Sequence, residues 1–172
     1  MKTRRYQLFL DLDGVLADFE GGVKSATGRF PHQWRASQMW SRLRRAPQFF
    51  AQLSWTQDGR TLWEETRHLN PPILTGLPHG GAWAAQQKRA WCARELGEDV
   101  QVITCLARDK IGQALEYSGS HVTPIIIDDR TTHKATWEAQ GGIYIVHRSA
   151  GESLSALAQV MGRSTSTYSR DI

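Results

Sequence analysis

The run Leu8-Phe9-Leu10-Asp11-Leu12-Asp13-Gly14 carries an apolar stretch straight into two carboxylates two residues apart. A carboxylate fixed at the end of a strand is the mark of an aspartyl nucleophile, and a second carboxyl group beside it is one able to change protonation state. If the strand persists past Leu10, alternation puts Asp11 and Asp13 on the same side, and Gly14 then permits a sharp exit. Two like charges so close repel unless a cation lies between them, and Mg²⁺ is the ion suited to phosphate chemistry. The bland alternative is an acidic turn in which Asp13 caps a helix.

Three later segments add compatible chemistry. In Pro72-Ile73-Leu74-Thr75-Gly76 the hydroxyl of Thr75 and the N–H of Gly76 can both donate to a phosphate oxygen, although Thr-Gly is also a common turn. Lys110 follows Ala107-Arg108-Asp109 at the start of a helical pattern, where a lysine is usually solvated. Pro124-Ile125-Ile126-Ile127 then runs into a second acidic pair, Asp128-Asp129. Two acidic pairs and a lysine at the strand ends of one sheet work against stability through repulsion, but they fit around Mg²⁺ and phosphate.

The elements that must position these groups alternate along the chain. Strands are expected at Tyr6–Leu10, Ile73–Thr75, Val100–Thr104, Pro124–Asp128 and Ile143–Val146. Helical patterns cover Ala82–Leu96, Ile111–Tyr117, Thr132–Ala139 and Ser153–Met161. Such alternation implies an α/β fold, a five-stranded parallel sheet flanked by helices, and in sheets of that kind ligands bind beyond the carboxyl ends of the strands. The long interval from Asp13 to Pro72 is rich in Trp, Phe and Arg and reads as a small helical cap inserted after the first strand. The expected division is a core of residues 1–16 and 71–162, a cap of 17–70, and a mobile Ser/Thr-rich tail of 163–172.

The string DLDGVLADF resembles motif I of the haloacid dehalogenase superfamily, whose core is Rossmann-like. Thr75 resembles its motif II, Lys110 its motif III and Asp128-Asp129 its motif IV, in the same order along the chain. Within that superfamily the sequence is most similar to the 5′(3′)-deoxyribonucleotidases, through DLDGVLADFEGGV with Gly28-Arg29-Phe30-Pro31, the pair Phe49-Phe50, QKRAWC at 87–92, LARDK at 106–110 and IDDR at 127–130. The resemblance implies that Asp11 is the nucleophile and Asp13 the proton donor and acceptor. It implies Mg²⁺ bound by the carboxylates of Asp11 and Asp128 and the main-chain carbonyl of Asp13, with Asp129 acting through a metal-bound water or by orienting its neighbours, and Arg130 near the site. It also puts Lys88 with Thr75, Gly76 and Lys110 among the phosphate-binding groups, although a snorkelling surface lysine fits the alanine-rich helix as well. Asp18, Phe19, Phe49 and Phe50 are expected to line the substrate pocket, and the tryptophans to pack.

The implied activity is two-step phosphomonoester hydrolysis of nucleoside monophosphates, with a small phosphorylated molecule as the partner. The segment SWTQDGRTLWEETRHLN departs from the deoxyribonucleotidase pattern, and it lies in the cap, which selects the leaving group. The alternatives are a phosphatase for sugar phosphates or nucleic-acid ends, a phosphotransferase, and a non-catalytic nucleotide-binding protein.

Composition sets the frame for these readings. The 172 residues are 40% hydrophobic and 22% charged, ordinary values for one globular core with room for an insertion. No apolar run is long enough to span a bilayer, and Asp11 and Asp13 interrupt the first one too early for a signal peptide, so a cytoplasmic protein is expected. Cys92 and Cys105 stand at no metal-ligand spacing. The net charge of +4 suits anionic substrates but is too small to establish nucleic-acid binding, and a homodimer is compatible with the sequence without being demanded by it.

Overall fold

The computed structural model describes residues 5–165. Five strands, β1 (Arg5–Leu10), β2 (Ile73–Gly76), β3 (Val102–Cys105), β4 (Val122–Asp128) and β5 (Ile143–Val146), form one sheet in the order β3-β2-β1-β4-β5. Every pairing is parallel. With β1 central, its carboxyl end lies between those of β2 and β4, which brings Asp11, Gly76 and Asp128 to one edge. The α/β architecture expected from the alternating pattern is the one observed.

The strands are apolar on both faces because both faces are covered. Leu8, Leu10, Ile73, Ile125 and Ile127 share one core cluster with Ala84, Trp91 and Cys92 of α4 (Ala82–Glu95) and with Ala150 and Leu157 of α7 (Ala150–Thr165). Phe9, Leu74, Ile126 and Tyr144 point the other way, against Ile111 and Ala114 of α5 (Lys110–Ser118) and Trp137 of α6 (Lys134–Ala139). Period-two alternation within buried runs thus sorts one strand's residues into two cores. Pro124 is tolerated inside β4 because pairing with β5 begins only at Ile125, so no ladder partner on that side lacks a donor.

The interval between β1 and β2 holds α1 (Phe19–Thr27), α2 (Ala36–Arg45) and α3 (Gly59–Thr66), with short 3₁₀ turns at Pro31–Gln33, Phe50–Gln52 and Arg67–Leu69. Its aromatic residues feed the same core cluster as the sheet, through Phe19, Phe49, Phe50 and Trp63. Helix α4 grips the Phe50–Gln52 turn: Gln87 Oε1 accepts from the Phe50 N–H (2.9 Å), Trp91 Nε1 donates to Leu53 O (2.8 Å) and Arg94 donates to Ala51 O (2.5 Å). Gly59 lets the start of α3 approach the chain after β1, since a Cβ there would lie 2.9 Å from the carbonyl oxygens of Val15 and Leu16.

Most element ends differ from the sequence expectation by a residue or two, and two of the starts that differ have a visible local cause. Strand β3 starts at Val102 rather than Val100, because the Val100 N–H turns back to Gly97 O (3.3 Å). Helix α7 starts at Ala150, three residues before the expected Ser153, because its first turn is capped from outside: Asp58 accepts from the Ala150 N–H and Ser149 Oγ accepts from the Glu152 N–H (3.2 Å). A carboxylate at a helix N-terminus satisfies an orphan donor and opposes the helix dipole. Nearby, His147 Nδ1 lies 2.8 Å from Ser153 Oγ. The helix continues to Thr165, and the rest of the Ser/Thr-rich tail lies outside the described residues. Among the described residues no helix is long and apolar enough to cross a membrane.

Because Asp58 is the tie between the segment before α3 and the first turn of α7, Asp58→Ala is expected to lower the unfolding free energy by about 1–2 kcal/mol. Urea denaturation followed by tryptophan fluorescence measures it, and an unchanged midpoint would mean that the cap contributes nothing to stability.

Candidate active site

Strand β1 ends at Leu10, and the next residues do not continue it. The Leu12 carbonyl accepts from the N–H groups of Leu16 and Ala17 (both 2.9 Å), and the Gly14 N–H returns to Ala17 O (2.8 Å). This curl sends Asp11 and Asp13 to different partners, so the shared side expected from a persisting strand is not realised. Asp11 faces Lys110 at the start of α5, while Asp13 faces Lys88 on α4. Gly14 has φ +78°, and a Cβ on it would sit 2.3 Å from Asp129 Oδ2; glycine is what leaves room for that carboxylate.

Lys110 Nζ bridges the two strand ends, 2.9 Å from Asp11 Oδ1 and 2.7 Å from Asp128 Oδ2, and all three side chains are buried. Asp128 Oδ1 accepts from the Arg130 N–H at 2.9 Å, which orients the carboxylate. Asp11, Asp128 and the exposed Asp129 each offer a carboxylate oxygen, and those oxygens lie within 4.8 Å of one another. Desolvation by burial, followed by the charges of Asp128 and Asp13, pushes the Asp11 carboxyl up to about 7 against the pull of Lys110. Asp129 rises to about 6, through partial desolvation and the charge of Asp128. For Lys110, burial opposes the charge, but Asp11 and Asp128 outweigh it and hold the ammonium above the usual lysine range.

Lys88 is 1% exposed and surrounded by acceptors. Its Nζ donates to Asp13 Oδ2 (2.5 Å), Thr75 Oγ1 (2.9 Å) and Gly76 O (2.6 Å), and sits 4.7 Å from the centre of the Phe50 ring. An ammonium has three protons, and all three are spent on the protein. Lys88 is therefore neither a snorkelling surface residue nor a free phosphate ligand in this arrangement; it holds the Asp13 carboxylate and orients Thr75. Asp13 Oδ1 is buried and has no hydrogen-bond partner, and Asp11 Oδ1, though near Lys110, lacks hydrogen-bond geometry. Four carboxylates face two ammonium groups here. That excess of acceptors and negative charge, with the buried Asp13 Oδ1 left without a hydrogen-bond partner, fits a divalent cation.

A cleft of about 670 Å³ opens over these groups, lined by Asp11, Asp13, Lys110 and Asp128 at its base and by Gly76, Lys88 and Arg130 beside them. The β2 N–H groups of Ile73 and Leu77 bond to β3, so by alternation the N–H of Gly76 faces the β1 side, where β1 has already ended. Thr75 is wholly buried and lies behind the cleft wall. Of the four residues expected to line a substrate pocket, Phe19 does so. Phe50 is buried among Phe19, Phe49 and Trp83, outside the cleft. Asp18 caps α1 by accepting from the Gly21 N–H (2.9 Å), and with Phe49 it lines a separate cavity between α1 and α2 rather than the cleft.

No protein-family model matches the chain. It is 27% identical over 135 residues to a protein of Vibrio phage KVP40 provisionally named a 5′(3′)-deoxyribonucleotidase, covering 78% of this chain and 72% of that protein. Its fold is similar to the crystal structure of a hydrolase from Streptococcus pneumoniae TIGR4, with a TM-score of 0.51 and 13% identity over 92% of this chain and 99% of that one. The structural likeness supports the fold alone.

Sequence reasoning missed several residues of the cleft. Trp40 of α2 lines it, although tryptophans at helical spacing read as packing, and α2 also contributes Ala36 and Ser37. His79, Arg108 and His133 stand around it on loops whose approach only the fold determines. Tyr144 lines it too and donates to Arg130 O at 2.6 Å, behind an apolar strand pattern that gave no sign of a site.

A carboxyl group whose folded value is raised above its unfolded one stabilises the fold at low pH and loses that contribution as pH rises through the folded value. For Asp11 the loss begins near the ordinary carboxyl value of 3.8 and is complete at about 7. In the presence of a chelator the melting temperature is thus expected to fall between about pH 4 and about pH 7 and to level off above, and Asp11→Asn is expected to flatten the dependence; equal slopes for the two proteins would contradict the buried acidic cluster. Lys88→Met leaves Asp13 and Gly76 O without their donor and is expected to lower the unfolding free energy by about 3 kcal/mol, readable by urea denaturation.

Proposed function

We propose that this protein is a Mg²⁺-dependent phosphomonoester hydrolase that works through an aspartyl-phosphate intermediate, with nucleoside monophosphates as its substrate class. The observation that carries the proposal is the convergence of Asp11, Asp13 and Asp128 with Lys110 at the base of one cleft at the carboxyl edge of the sheet. The likeness to the phage protein named for nucleotidase activity supports the substrate class. In this reading the segment 17–70 acts as the cap and residues 1–16 with 71–162 as the core.

Asp11 attacks phosphorus in line and forms the acyl phosphate, while the P–O bond to the leaving alkoxide breaks. Asp13 supplies the proton to that oxygen. Its Oδ2 is held by Lys88, which leaves Oδ1 as the oxygen to carry the proton. Asp13, now ionised, accepts a proton from water, whose oxygen attacks the aspartyl phosphate and restores Asp11. Lys110 and the Gly76 N–H are placed to stabilise charge on the equatorial oxygens, and Thr75 contributes through Lys88. Asp11, Asp128 and the Asp13 carbonyl would hold Mg²⁺, with Asp129 beside them, and the ion would neutralise charge between nucleophile and phosphate. Asp13 also argues for hydrolysis of phosphate esters over dehalogenation, which needs no such acid.

Phosphate release from deoxyribonucleoside and ribonucleoside monophosphates and sugar phosphates, with and without Mg²⁺, tests the reading. Release from the nucleotides that stops on chelation and falls by at least 10³-fold in Asp11→Asn is the expected result. Full activity in that variant would remove Asp11 as nucleophile, and activity on sugar phosphates alone would remove the substrate class.

A further inference from the structure

The segment 17–50 contains six Lys and Arg residues but only two acidic ones, against 21 and 17 in the whole chain, so the remainder is electrically balanced. The entire net charge of +4 resides in this segment. Among the described residues, none of Lys24, Arg29, Arg35, Arg42, Arg44 and Arg45 forms an ion pair. Instead, the guanidinium groups of Arg29 and Arg42 each lie over the half-buried Trp34 ring system, at 5.2 and 4.8 Å from a ring centre. Compensation of the helix dipole explains cations in the last turn of α2, but not Arg29 or Arg35, which lie outside that turn.

Two of these charges border openings that share lining residues with one another and with the cleft. Arg42 and Arg45 line both the cavity of about 750 Å³ between α1 and α2 and a neighbouring groove of about 450 Å³ along α2. Ser37 lines that groove and also the catalytic cleft. The cleft and the groove thus meet at Ser37 of α2, with Trp40 on the cleft side, Trp34 on the groove side, and the guanidinium groups of Arg42 and Arg45, which form no ion pair among the described residues, farther along; we take this succession as one path. A mononucleotide needs only the cleft.

We propose that single-stranded nucleic acid occupies this path, its terminal phosphate in the cleft and its backbone phosphates on Arg42 and Arg45. Planar guanidinium forks match phosphate oxygens, and aromatic rings interleaved with cations are what single strands stack on. An acidic peptide would use the charges but neither the phosphate centre nor the ring faces. The proposal takes its terminal phosphate from the hydrolase reading above, whereas the binding along α2 can be tested without catalysis.

The experiment uses the full chain and a fluorescein-labelled ten-nucleotide single strand bearing a terminal phosphate, with binding followed by anisotropy from 25 to 300 mM NaCl. Arg42→Gln/Arg45→Gln, at two exposed positions, is expected to weaken binding roughly tenfold at the lowest salt and to reduce the slope of log K against log [salt] by about 1.4, near 0.7 per phosphate contact. Equal affinity and slope in the variant would overturn the path, and polyglutamate competing as well as unlabelled oligonucleotide would overturn the assignment to nucleic acid. Phosphate release from the same oligonucleotide, compared with a mononucleotide, separates the two proposals. Oligonucleotide binding that depends on Arg42 and Arg45 without any release upholds the path and defeats the hydrolase reading. Release from the mononucleotide with no oligonucleotide binding does the reverse.

Discussion

Everything at the carboxyl edge of the sheet depends on how four carboxylates are held near one another in a partly dry environment. Lys110 lies between Asp11 and Asp128, and Lys88 holds Asp13, so each ammonium offsets charge that would otherwise force the strand ends apart. Buried ion pairs contribute little net stability, since desolvation consumes much of the Coulombic gain. What they supply here is position. The lysines come from the helices that follow β2 and β3, so the sheet order that makes β1 central also determines which cations can reach its carboxylates.

The two lysines divide the work unevenly. Lys110 belongs to the cleft and shares its charge between two acidic groups that face the cleft. Lys88 has no proton left to offer, and its contacts couple the acid on β1's exit curl to the hydroxyl and carbonyl at the end of β2. One lysine therefore answers to charge at the base of the cleft and the other to geometry behind it.

The fold was legible in the sequence because parallel strands buried on both faces write themselves as short continuous apolar runs, and the runs at 8–10, 125–127 and 143–146 leave little freedom. The acidic pairs and Lys110 were legible for a related reason: each follows such a run or opens the next helix. The side from which Asp13 is met was not, because it depends on the curl of Leu12 to Ala17, whose hydrogen bonds have no pattern of residue types. Nor was the sorting of aromatics. Phe49 and Phe50 stand side by side in sequence yet pack into the layer behind the cleft, while Trp40, at a spacing that suits a core, reaches its wall. Local periodicity tells which face of a helix is apolar, but not whether the neighbouring surface is protein or empty space.

Helix α4 carries Lys88 and, on the same turns, the three side chains that bind the Phe50–Leu53 turn. Lifting the segment between β1 and β2 as a rigid body would break those three bonds, at about 1 kcal/mol each, and would pull on the helix that holds Asp13. The segment between β1 and β2 is thus fastened to α4 beside the cleft, while the α2 residues Ala36, Ser37 and Trp40 still reach the cleft wall. What the cleft accepts can then change by replacing side chains on that wall while the segment stays in place.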